Sequence, residues 1–210
     1  MCATYGYDQH MTWSELARLA GLAFDVPAMN LPQSNLFFPA QMAPVIYAKN
    51  NQKQVGNMHW GLVPEFWKKP LEEKKFSTYN YNSRASDWLD KPTFRRAIRQ
   101  TRCVVPATYF CEYTGTKGSK VTVPFMRPDQ KPFVMAGVWN HWRGTHKGEP
   151  VQLDTFSILT TEPNELVRPI HPKAMPVLLE WSELDLWLSG SFGQAISLAK
   201  PCLDDRLSIG

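Results

Sequence analysis

The feature that most limits what this chain can fold into is a succession of short β-rich segments with only brief helical stretches between them. Residues 43–48, 54–63, 102–105, 108–113, 121–126, 133–142 and 155–161 read as strands, and short strands so spaced fit an antiparallel sheet or barrel. Thr12-Trp13-Ser14-Glu15 has the form of a capping box, with Leu16, Leu19 and Ala20 at helical spacing, so a helix is expected to end near Gly21. Residues 93–100 read as a basic helix with Thr93 as N-cap. Ser182-Glu183-Leu184-Asp185 caps a late helix with Trp187 and Leu188 on its apolar face. Residues 79–86 look like a loop, and Pro106-Ala107 separates two strands. No internal repeat or linker interrupts the sequence, which predicts a single domain over residues 1–210.

Composition narrows the setting. Apolar residues at 43% and aromatics at 12% describe a folded globule. No apolar run approaches the roughly 20 residues that cross a bilayer, and no signal-peptide pattern is present, so no membrane partner is expected. Cys2, Cys103, Cys111 and Cys202 form no CxxC pair and are expected to be reduced, in a cytosolic or nucleoid setting, or nuclear in a eukaryote. The histidines and cysteines lack ligand spacing, so neither zinc nor another cofactor is expected. The formal charge is +4, laid out unevenly: Lys68-Lys69, Lys74-Lys75 and Arg95, Arg96, Arg99 and Arg102 are interleaved with Trp60, Phe66, Trp67, Tyr79, Tyr81 and Trp88. Cations beside aromatic rings suit single-stranded nucleic acid, where charge follows the backbone and rings stack on bases. The alternative is that the tryptophans are core and the lysines a solvated face.

A few positions carry chemistry. Trimming of Met1 leaves Cys2 with a thiol (pKa ~8.5) and an α-amine (~7.7–8.0) side by side. That pair attacks an aldehyde twice, the amine forming a Schiff base and the thiol closing a thiazolidine. It equally suits an N-terminal-nucleophile hydrolase, with the amine as base, or Cys2 is an incidental tail residue. Glu112, between Phe110-Cys111 and Tyr113, is costly to bury unless put to use, and desolvation would make it a general acid. Otherwise it is a strand-edge residue facing water. Asn82 could orient an amine or carbonyl and Arg84 could clamp a phosphate, against a reading of plain turn chemistry. Trp60-Gly61-Leu62-Val63-Pro64 ends a strand in a form that permits close approach by a partner. His171, in Ile170-His171-Pro172-Lys173-Ala174-Met175-Pro176, is a lone histidine leading into a strand.

In that order along the chain, these motifs resemble the SOS-response-associated peptidase (SRAP) family of abasic-site processing proteins, from residue 2 to about residue 188. The resemblance implies a single α+β domain with a curved, barrel-like, mainly antiparallel sheet and peripheral helices. It implies that Cys2 joins covalently to the ring-opened aldehyde of an abasic site in single-stranded DNA. Asn82 would position the N-terminal residue and the sugar, Glu112 act as acid/base, and His171 assist ring opening and Schiff-base exchange. Arg84 would hold the backbone beside the lesion, and Trp60, Gly61 and Thr160 would line the DNA groove of a monomeric protein. The sequence departs from the family pattern at Ala3-Thr4, at Ser86, at Asn35-Leu36, in the three residues between His171 and Met175, and in a short C-terminal segment. Competing readings are an N-terminal-nucleophile amidase with Asn82 in its oxyanion hole, a Cys–His peptidase confined to removing Met1 or to self-release, and a non-catalytic single-strand binding module. Strand cleavage of the lyase type is the natural side reaction of an unclosed Schiff base.

Overall fold

The computed structural model describes residues 4–7, 11–23, 26, 28, 30, 36–73, 80–116 and 118–210. Cys2, Asn35, Lys74-Lys75 and Tyr79 lie outside the described residues. The strands are β1 (Thr4–Gly6), β2 (Met42–Lys49), β3 (Gln52–Trp60), β4 (Asn82–Arg84), β5 (Arg102–Ala107), β6 (Tyr109–Thr114), β7 (Val121–Met126), β8 (Phe133–His146), β9 (Glu149–Thr161), β10 (Met175–Pro176), β11 (Leu178–Leu179) and β12 (Ser208–Ile209). The helices are α1 (Trp13–Ala20), α2 (Pro92–Arg95), α3 (Ala97–Gln100), α4 (Leu184–Ser189) and α5 (Phe192–Ser197).

Strands β9, β3, β2, β5 and β8 pair in that order, and β8 pairs back to β9, closing a five-stranded barrel. All of these pairings are antiparallel except β3 with β9. A second antiparallel sheet runs β1-β6-β7-β12. The period-2 alternation of the strands sorts the side chains into two cores. Val45, Trp60, Cys103, Val105, Met135, Phe156 and Ile158 share one core with Tyr5, Phe110 and Phe125 of the second sheet. The alternate residues Ile46, Val104, Ala136, Val138 and Leu159 pack against Leu16 of α1, Trp187 and Leu188 of α4 and Ala195 of α5. This is the α+β domain that the family resemblance implies. Among the described residues no helix is long and apolar enough to cross a membrane.

Several local expectations hold and others shift. Thr12 caps α1 by accepting from the Glu15 amide at 3.2 Å, and Gly21 ends it in the left-handed conformation at φ 58°. The basic helix is two pieces broken at Arg96, and its N-cap is Lys91 rather than Thr93, because Pro92 takes the first helical position, where its missing N–H costs nothing. The late helix is preceded by a 3₁₀ turn at Trp181–Glu183, which Glu180 caps instead of Ser182: the Glu180 amide donates to Glu183 Oε2 at 2.9 Å. β5 runs through Pro106 to Ala107, and the break falls at Thr108. Pro106 is tolerated there because it lies past Val104, the last β5 residue paired to β2. β9 begins at Glu149, not Thr155, and joins β8 through a two-residue turn in which Lys147 and Gly148 both have positive φ (51° and 85°), the type I′ hairpin pattern.

Candidate active site

β9 is the strand on which the scattered motifs meet. Its Thr155–Phe156 portion pairs with the end of β3, and its next residues pair in parallel with β4: Asn82 opposite Ile158, Ser83 opposite Leu159, Arg84 opposite Thr160. The β8–β9 ladder stops at Gly137–Ile158. Beyond it residues 175–179 wedge between the two strands, the Val177 amide donating to Leu159 O and the Ala136 amide to Val177 O, each at 2.9 Å. The histidine motif therefore enters the sheet beside Thr160.

Asn82-Ser83-Arg84 is a strand, where a loop was expected. Its sequence carries little β-propensity, and neighbouring side chains fix it instead. The Tyr81 carbonyl accepts from the Trp60 indole Nε1 at 2.8 Å and from the Ile158 amide at 2.9 Å. Asn80 exchanges two 3.2 Å bonds with Leu62, its carbonyl accepting from the Leu62 amide and its Nδ2 donating to the Leu62 carbonyl. At the other end the Ser83 carbonyl accepts from Trp88 Nε1 at 3.0 Å and from Thr160 Oγ1 at 3.3 Å. Gly61 makes the bend between β3 and Leu62 at φ 147°, its amide donating to Phe156 O at 2.9 Å. Trp60 and the Thr160 side chain are fully buried, so here they brace β4 from behind. Trp88 is 4% exposed and Trp67 8%, so these rings belong to the interior and not to a stacking surface; Phe66, at 57%, is open to solvent.

Glu112 lies in the middle of β6, 1% exposed, between β1 and β7. It points to the same face as Phe110, whose ring stacks on Phe125 at 5.2 Å. The strand-edge reading of Glu112 therefore fails. Burial among these rings pushes its carboxyl up to about 7, so it both holds and releases a proton near neutrality. Thr4, the first residue of β1, pairs with Cys111, the immediate neighbour of Glu112.

His171 follows a turn organised by Asn164, whose Oδ1 accepts from the Val167 amide at 3.0 Å. Its ring is half-buried, and Nδ1 lies 2.8 Å from the Ala174 carbonyl. Nδ1 also lies 3.3 Å from the Ala174 amide, so the backbone of that one residue holds the ring by this nitrogen. Burial lowers the His171 pKa below its ordinary value, the Ala174 hydrogen bond opposes that, and the positive charges of Arg84 and Lys173 push the same way as burial. Arg84 and Lys173 also line one cavity of about 440 Å³ together with Ser86, Thr160 and Glu162. Among the described residues Arg84 is the one arginine whose guanidinium makes no hydrogen bond, ion pair or ring contact; the others are engaged.

The structure thus brings Asn82, Arg84, Thr160, Trp60, Gly61 and His171 onto β9 and its neighbours, with Glu112 on the second sheet. Sequence reasoning missed the bracing roles of Asn80 and Asn164, and took Trp88 only as one of the rings beside the basic residues. Trp88 carried no signal beyond its type. Asn164, after Pro163 and ahead of a turn, carried the asparagine-turn signal that could have been read. Cys103, Cys111 and Cys202 are free thiols, and burial first of all raises the pKa of each, that of Cys111 and Cys202 to about 11, so none is a ready nucleophile.

Comparison with known proteins identifies the family. The abasic site processing protein YoaM of Bacillus subtilis is 36% identical over 154 residues, covering 72% of this chain and 63% of that protein. The abasic site processing protein HMCES of Gallus gallus is 29% identical over 161 residues, 67% of this chain and 47% of that one. The matches thus span under two thirds of the length of these relatives. A crystal structure of a Bacteroides thetaiotaomicron protein superposes with a TM-score of 0.83 at 27% identity, over 99% of this chain and 90% of the other. The model of the SOS response associated peptidase (SRAP) family matches residues 1–209. With the motifs, the barrel and this match in agreement, the chain belongs to the SRAP family.

Proposed function

We propose that this protein processes abasic sites in single-stranded DNA by joining Cys2 covalently to the lesion and so shielding it. The observation that carries the reading is Arg84: a guanidinium left uncommitted among the described residues, lining a cavity and close enough to His171 to shift its proton affinity. A cation held in this way suits a phosphate beside a reacting sugar.

The chemistry follows from the neighbours. An abasic sugar is mainly a closed hemiacetal. His171, its pKa lowered by burial and its ring held at Nδ1 by Ala174, takes the proton of the C1′ hydroxyl while Glu112, with its pKa about 7, protonates the ring oxygen. The freed aldehyde receives the α-amine of Cys2, water leaves, and an imine remains. The Cys2 thiolate adds to the imine carbon, the nitrogen takes a proton, and a thiazolidine results. The balance is one aldehyde plus one cysteine giving one ring and one water. Removal of Met1 is a precondition, since a retained methionine blocks the amine. Cys2 stands two residues before Thr4, a reach of at most ~7 Å along the chain, and Thr4 pairs with the residue beside Glu112. Asn82, fixed by the bonds to Tyr81 and Ser83, is suited to orient the amine and the sugar.

Intact mass of the protein after incubation with an abasic oligonucleotide tests this directly. The expected species is the Met1-less chain plus the oligonucleotide minus one water, resistant to denaturation and absent in Cys2→Ser. Serine retains an amine, so strand cleavage through the imine should persist in that variant. A stable adduct of normal yield in Cys2→Ser would overturn the assignment.

A further inference from the structure

The cavity beside His171 holds more than a phosphate clamp. Its lining includes Arg84 and Lys173, two cations, and Glu162, an exposed carboxylate at the end of β9. Among the described residues none of these three side chains is in a hydrogen bond or an ion pair, although charges of both signs line one cavity. Elsewhere on the molecule opposite charges are joined, as in Lys91–Asp87 at 2.6 Å and Arg127–Glu180 at 2.8 Å. A carboxylate in a pocket meant only for phosphates repels them. Placed with two cations and joined to neither, it is suited to a ligand that is anionic on one side and rich in N–H donors on another. A nucleotide fits that description: phosphate toward Arg84 and Lys173, base edge toward Glu162.

We propose, resting on the function above, that this cavity is the subsite for a nucleotide adjoining the lesion and that Glu162 makes it selective for guanine. In a single strand the Watson–Crick edge is exposed for reading. Guanine offers two parallel donors there, N1–H and the N2 amino group, matching the two oxygens of a carboxylate. Adenine and cytosine offer one amino group beside a ring nitrogen acceptor that repels the carboxylate. Thymine offers a single N–H flanked by two carbonyls. The order is therefore guanine first, adenine and cytosine next, thymine last.

The test uses the full chain and two sets of single-stranded oligonucleotides, with each of the four bases placed in turn on either side of the lesion. One set carries tetrahydrofuran, which has no aldehyde, and is read by fluorescence anisotropy. The other carries a true abasic site and is read by crosslinking rate at subsaturating DNA. On one side of the lesion, wild type is expected to bind guanine about tenfold more tightly than thymine, the discrimination of a good bidentate base contact. Glu162→Ala and Glu162→Gln should level that ratio while leaving thermal stability unchanged, since the side chain is exposed. Equal affinities for all four bases on both sides, or a guanine preference that survives Glu162→Ala, overturns the subsite. Selective binding without crosslinking keeps the subsite and sinks the covalent reading. Crosslinking without selectivity does the reverse.

Discussion

Glu112 and His171 are restrained in opposite ways, and the contrast shows how one small fold supplies an acid and a base. Glu112 sits in the middle of a four-stranded sheet, between two paired strands, and its proton affinity is raised by burial beside aromatic rings. His171 sits in a turn, half-buried, and its affinity is lowered by partial burial and by two nearby cations. A sheet removes water from a carboxyl without moving it, whereas a turn beside a charged cavity fixes an imidazole through one ring nitrogen. Raising the carboxyl and lowering the imidazole reverses their usual order, which suits the carboxyl to be the acid and the imidazole the base at one pH.

The largest test of that contrast is Glu112→Gln, which keeps the shape and removes the proton. Crosslinking to abasic single-stranded DNA should slow by ~10²- to 10⁴-fold, and the inflection near pH 7 in the wild-type rate profile should vanish. Timed crosslinking across pH 5–9 measures both, in order-of-magnitude pH steps of about one unit. A wild-type rate would make Glu112 a structural carboxylate, with His171 the next candidate for the acid.

Stability should move the other way. The folded pKa of Glu112 is about 7 against an ordinary 4.5, so the native state binds more protons between those values. Stability is then fully present below the unfolded value and is lost as pH rises through the folded one. At 1.36 kcal/mol per unit the loss is about 3 kcal/mol in order of magnitude. Glu112→Gln carries no such loss, so it should unfold at a higher denaturant midpoint than wild type at pH 8, with the two converging toward pH 4.5. Equal midpoints at pH 8 would mean that the carboxylate is not desolvated.

His171 should differ in kind. His171→Ala is expected to slow formation and also to alter release of DNA from the adduct, by roughly tenfold or more, within the range of a general base. A chase with excess competitor abasic DNA reads the reversal. If His171→Ala affects formation alone, the imidazole serves only ring opening.

The smallest effect belongs to the cavity cation. Arg84→Ala should weaken binding alike across sequences and lower the slope of log affinity against log salt by about one. Removing this charge also relieves one of the influences lowering the His171 pKa, so that pKa should rise, which NMR titration would detect. An unchanged salt slope would make Arg84 a structural residue.

The residues to which the proposed chemistry is assigned were legible from sequence because their types are unusual where they stand. A cysteine at position 2, a glutamate inside Phe110-Cys111-Glu112-Tyr113 and a lone histidine before Met175-Pro176 are costly or idle unless used. The strand character of residues 43–48, 121–126 and 133–142 was legible too, since short apolar runs rich in β-branched and aromatic residues favour strands.

What the sequence alone determined, then, was the inventory: which side chains carry reactive groups, and that they ride on short strands. Only the tertiary structure decided how they meet. Asn82-Ser83-Arg84 has no strand signal of its own and becomes β4 because β9 offers an open edge and two buried indoles, Trp60 and Trp88, hold the carbonyls at either end. Those tryptophans read as candidate stacking rings along the chain, yet they are interior, because a ring's exposure depends on what packs over it and not on its neighbours in sequence. The raised pKa of Glu112 and the lowered one of His171 have the same origin: burial and nearby charge are set by residues far away in the chain, which only folding brings close.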